Sequence, residues 1–147
     1  LGISPKYHRE LIIAAKLLSI GVDIRYYAYQ RHSHYLAMST LDYALTHPQI
    51  ALISHLLLFK KGHNASALIP KGGYGALLPD NATLDALSAL LWLSHILLAA
   101  RIDASALTLN MDPESGALVI SGKNLYLARE QLKNVILPKN LTLILKG

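Results

Sequence analysis

Cysteine is absent from the 147 residues. That excludes a disulfide framework and any thiolate metal site, and it fits a reducing cytoplasm. Acidic side chains are scarce, nine Asp and Glu against 14 Lys and Arg, for a net charge of +5. No uninterrupted apolar run reaches the roughly 20 residues that a membrane-spanning helix needs. IALISHLLLF (50–59) is too short, and LDALSALLWLSHILLAA (84–100) falls short of that length and carries Asp85 and His95. Both read as buried helices, with no membrane contact expected. Catalytic signatures are missing too. There is no Gly-x-Ser-x-Gly elbow, no cysteine nucleophile and no recognisable acidic pair.

What is present is apolar: 52 % of the chain, which excludes disorder and supplies one domain with a core. The chain begins Leu-Gly-Ile rather than with Met, and no charged leader or cleavage site follows, so a piece of a longer protein is expected. Charge is unevenly spread. Residues 1–79 hold eight Lys and Arg against Glu10, Asp23 and Asp42, whereas residues 80–147 balance six against six. Most of the histidines also precede residue 64. A basic first half points to a polyanionic partner, nucleic acid or a phosphate chain, or else to a solvated surface.

The spacing predicts a helical body. Ser4-Pro5 starts a first helix whose apolar face carries Leu11, Ala14, Ala15 and Leu18, with Gly21 as its stop. A second helix is predicted from about His32 or Ser33 to Leu45. Thr46-His47-Pro48 opens a third, apolar nearly all round from Ile50 to Phe59 and therefore central. Lys60-Lys61-Gly62 closes it before a long loop rich in glycine and proline, with room for a short strand or turn. Asp80 or Asn81 caps the longest helix, reaching about Arg101. The period then changes: a β-hairpin over 105–121, a short amphipathic helix over 126–135, and a final strand over 140–147 able to pair with the hairpin.

Several residue clusters invite chemistry. KGGYG (71–75) lacks the spacing of a phosphate-cradling or dinucleotide loop and reads as a turn, although Lys71 could meet a phosphate. His32 and His34, two apart on a helix, point to different sides and have no carboxylate in register to complete a metal site. Phosphate contact through Arg31, His32 and the first amides of that helix is the better reading. His55 and His95, alone in apolar helices, read as core histidines bonded to backbone carbonyls.

The order AKLLSIG, RHSHYL, LFKK and LLWLSHILLAARID, followed by a hairpin, resembles the C-terminal region of the exopolyphosphatase/guanosine pentaphosphate phosphohydrolase (Ppx/GppA) family. The resemblance implies a mainly α, HD-like helical domain over 1–103 with a small ββαβ extension over 104–147, together one C-terminal domain of a larger protein. Ile20-Gly21 matches the end of the family's first signature, but Leu18 and Ser19 stand where relatives carry a histidine and an acid. His32-Ser33 and Tyr35-Leu36 match the second, and Lys60-Lys61 keep the bases of the third without its histidine. With Leu18 and Ser19 unable to hold a hard divalent ion, no metal is expected here and no catalytic residue.

The resemblance further implies that phosphoanhydride hydrolysis, with Mg²⁺, belongs to upstream actin-like domains of the same chain. This segment would then contribute dimer contacts and a groove for polyphosphate or guanosine pentaphosphate, in the cytoplasm. The residues expected to meet the polyanion are Arg25, Arg31, His32, His34, Lys60, Lys61 and Lys71. Two alternatives stand beside it. One is a nucleic-acid or protein interaction module on a degenerate HD fold. The other is a free-standing HD-like hydrolase with altered ligands drawn from His32, His55 or His95, with Asp103 nearby.

Overall fold

The computed structural model describes residues 3–58, 63–100, 106–137 and 142–146. The described residues form five α-helices and a small three-stranded sheet. Ser4 starts the first helical stretch as its sequence indicates: its hydroxyl accepts from the Lys6 amide, and Pro5 opens a 3-10 turn that runs into α1 (His8–Leu17). Ala14 and Leu18 are buried, whereas Ala15, expected on the same face, is exposed.

Gly21 works differently from a helix stop. It lies inside a 3-10 turn (Ile20–Asp23) against the next helix, where a β-carbon would come within 2.2 Å of the Tyr29 carbonyl oxygen and 2.4 Å of the Ser33 nitrogen. Glycine is required there by proximity of backbone to backbone, not by a left-handed cap. Helix α2 (Tyr29–Thr40) begins earlier than its histidines indicate, straight after Ala28 in the left-handed region at φ 57°. It also ends before Leu45, because Leu41 turns extended and the chain reverses through Ala44, again left-handed.

Helix α3 (His47–Leu56) has Pro48 in its first turn and a local clasp, the Thr46 amide donating to Gln49 Oε1 at 2.9 Å. Residues 51 to 57 are buried without a break, so α3 is the central helix its composition predicts. Its last turn tightens, Leu57 and Leu58 amides bonding to the carbonyls of Ser54 and His55. The following glycine- and proline-rich segment holds no strand among the described residues. It folds into two 3-10 turns, Ala65–Leu68 and Gly73–Leu77, the second entered through Gly72 and Gly73 at positive φ.

Helix α4 (Asn81–Ala99) is capped by Asp80, whose carboxylate accepts from the Thr83 amide at 3.0 Å. By length and composition it could cross a membrane. Its surroundings are those of a core helix. Leu84, Leu87 and Leu91 belong to one apolar cluster with Ala14, Ala37, Ile53 and Leu56, and Leu93, Ile96 and Leu97 belong to a second. Trp92 packs against both.

The second cluster is closed by the sheet and α5 (Tyr126–Leu132). Strands β1 (Thr108–Met111) and β2 (Leu118–Ser121) form the antiparallel hairpin, Leu109 opposite Ile120. Strand β3 (Leu143–Lys146) joins the other edge of β2, parallel, with Leu118 beside Leu143. The intervening α5 makes the parallel pairing possible, since such a pair needs a crossover. Leu118 and Ile120 are buried because β2 is the middle strand.

Candidate functional site

The segments around Ile20-Gly21 and His32-Ser33 meet in space. Ser33, fully buried on α2, accepts from the Gly21 amide at 2.9 Å and donates to the Leu18 carbonyl at 3.2 Å. One hydroxyl therefore joins the end of α1, the Ile20-Gly21 turn and α2. Leu18 is buried and its carbonyl is taken, while Ser19 is exposed. An aliphatic side chain and one hydroxyl offer a divalent ion neither imidazole nor carboxylate here. Among the described residues, no three His, Asp or Glu side chains converge.

Around that junction the chain is strongly exposed from Val22 to Ala28. Arg25 sits in this stretch, and Arg31 is exposed in the first turn of α2, whose amino end has no side-chain cap. Between them Tyr26 and Tyr27 stand 73 % and 76 % exposed, packed edge to face with ring centroids 5.8 Å apart. His32 is half-buried, its β-carbon close to Gly21. Lys71 is exposed in the loop before the second 3-10 turn. Lys60 and Lys61 lie outside the described residues.

His34 faces the other way. Its Nδ1 donates to the Ser54 carbonyl at 2.9 Å, and its ring lies against Tyr74, 5.6 Å between centroids. Tyr74, hidden in sequence within KGGYG, is the centre of a small relay. Its hydroxyl sits 3.2 Å from His55 Nδ1, and His55 Nε2 sits 2.9 Å from the Ala65 carbonyl oxygen. A carbonyl only accepts, so Nε2 carries the proton and the phenol donates to Nδ1. Burial pushes His55 below the ordinary histidine range, with the neighbouring His34 adding to it against the Ala65 bond, and pushes the Tyr74 phenol up. The relay ties the loop to α2 and α3, and both His55 nitrogens are used by it, so His55 has none for a metal.

His95, on α4, stacks on Trp92 at 5.6 Å, and burial lowers its pKa. Asp103 lies outside the described residues. Glu10 and Gln49 also escape the sequence reading: Gln49 Nε2 donates to Glu10 Oε1 at 2.7 Å. Glu10 was discoverable, since it falls at four-residue spacing before Ala14 and Leu18, on the buried face of α1. No known family model matches the chain, and no curated protein matches it either.

Proposed function

We propose that this chain is the HD-like C-terminal domain of a Ppx/GppA-type phosphatase, non-catalytic in itself, working in the cytoplasm beside upstream actin-like domains. Those domains hydrolyse phosphoanhydride bonds of polyphosphate or guanosine pentaphosphate with Mg²⁺. This domain adds cationic contacts to the polyanion and takes part in homodimer formation. The observation that carries the reading is the Ser33 clasp, which brings the Ile20-Gly21 and His32-Ser33-x-Tyr35-Leu36 segments into one junction with Arg25 and Arg31 exposed beside it. The reading rests on those residues and on charge.

In it, Arg25, Arg31, Lys60, Lys61 and Lys71 supply charge, His32 lies one turn into α2, and His34 is held by its bond to the Ser54 carbonyl of α3. Binding of fluorescent polyphosphate to the chain should weaken steeply with salt, and Arg25→Ala with Arg31→Ala should reduce the log–log salt slope by about one per contact removed, by analogy with nucleic acids. Salt-independent binding, or turnover of either substrate by this chain alone, would overturn the reading.

A second reading is favoured by one observation, the exposed Tyr26–Tyr27 pair flanked by arginines. Such rings stack on bases, so the same face suits single-stranded nucleic acid. An oligonucleotide that displaces polyphosphate of equal charge, and loses that advantage in Tyr26→Ala with Tyr27→Ala, would select it.

A further inference from the structure

Among the described residues, β1 is the one strand exposed at every position. It pairs with β2 on one side, and its other edge is open. Which groups point there follows from the phase of the hairpin's hydrogen bonds. The Asp112 amide donates to the Ala117 carbonyl at 2.8 Å, and bonded pairs alternate with unbonded ones along an antiparallel ladder. Asn110 and Thr108 therefore bond to β2, while the amides and carbonyls of Leu109 and Met111 point away from it. The far side of β2 agrees: Leu118, opposite Met111, sends its amide to the Thr142 carbonyl at 2.8 Å.

The side chains suit this open edge. Residues directly opposite one another share a face of the sheet, so Leu109 and Met111 stand on the face of Ile120 and Leu118, which are buried. At its rim Leu109 and Met111 are themselves 47 % and 45 % exposed. Sheet edges are commonly guarded by a lysine, a proline or a bulge. Strand β1 has none of these: Thr-Leu-Asn-Met is uncharged and pairs residue for residue with β2. The opposite edge differs, since β3 ends in exposed Lys146.

We infer that β1 pairs with β1 of a second copy of the chain, antiparallel about a two-fold axis through Asn110, joining the two sheets into one. In that register Leu109 of each copy faces Met111 of the other, so every free amide and carbonyl of the edge is used. The neighbouring registers do worse. One sets Met111 against Leu107, ahead of the strand, and the other sets Leu109 against Pro113, which has no amide to donate. Leu109 and Met111 carry the apolar row across the junction. The two Asn110 side chains meet on the axis, in an unbonded pair whose α-carbons lie about 4.5 Å apart. Two carboxamides can bond to one another there, whereas two like charges repel. The edge is thus complementary to itself, as a two-fold interface requires. It gives the homodimer of the proposed function a surface, and rests on that reading only for the expectation that the chain dimerises; none of the cationic residues lies in β1.

Sedimentation of the whole chain should show monomer and dimer in concentration-dependent exchange, a weak association because a four-residue strand pair is a small interface. Asn110→Asp should weaken the dimer about tenfold at neutral pH by setting two carboxylates on the axis. Leu109→Pro should abolish it, since the lost amide points out of the sheet and no bond within the hairpin goes with it. Because the chain has no cysteine, Asn110→Cys reports the register. On oxidation with diamide it should form a disulfide-linked dimer, whereas Thr108→Cys, about 14 Å from its counterpart, should not. A monomer at every concentration up to about 1 mM, a dimer unmoved by both Asn110→Asp and Leu109→Pro, or equal cross-linking at both positions would overturn the inference. Should Leu109→Pro fail to fold, Asn110→Asp and the two cysteine variants decide. Polyphosphate titrated into Asn110→Asp reads the cationic contacts separately, so a monomeric chain leaves those contacts standing and a failure to bind polyphosphate leaves the dimer standing.

Discussion

Ser33 shows how much can hang on one hydroxyl. It donates to one stretch of chain and accepts from another, in a place closed to solvent. Ser33→Ala removes both bonds and leaves the Gly21 amide and the Leu18 carbonyl buried and unmatched. The expected cost is about 1–3 kcal/mol, read as a lower urea midpoint with an unchanged m-value. Neither Ser33 nor Gly21 declares this role in the sequence. Twelve positions separate them, and Gly21 read locally as a helix stop, because nothing nearby reveals that another backbone will press against it.

At the scale of elements, the legible features are the ones whose causes are local. Ser4-Pro5, the Thr46–Gln49 pair and Asp80 mark helix starts through bonds that close within three residues, and the hairpin follows from alternation around an Asp112–Gly116 turn. The helix limits were less legible. Helix α2 starts at Tyr29 because Ala28 takes a left-handed conformation, which alanine gives no reason to expect. The loop after α3 was opaque for the same reason: Tyr74 finds His55 and Ser66 finds Asp85 only after the chain has folded. Asp85, the acid that interrupts the apolar run of α4, accepts from both the Ser66 amide and hydroxyl at 2.8 Å. Asp85→Ala should release the Ala65–Leu68 turn at a cost of about 2 kcal/mol, with hydrogen exchange at the Ser66 amide accelerating more than exchange in α4.

For the molecule as a whole, two histidines set an acid limit. Burial depresses both His55 and His95, so each binds its proton more weakly folded than unfolded. Above the ordinary histidine pKa of about 6.5 both states are neutral and stability is unaffected; below it the unfolded chain takes up protons first, and stability falls until the folded values are passed. The melting temperature should therefore drop between about pH 6.5 and 5, before carboxylates titrate. His55→Gln, which can keep both the Ala65 and Tyr74 bonds, should flatten that decline. An undiminished decline in this variant would remove His55 from the account.

Helix α4 gives its first half to one apolar cluster and its second to the other, with Trp92 at the handover. Among the described residues, a helix shared in this way couples the two clusters. Pulling on either end loads the same backbone, and melting one part strips partners from the other. Heat or denaturant should accordingly dismantle the protein in a single step, and a cut placed at the handover should yield two fragments that each fail to fold.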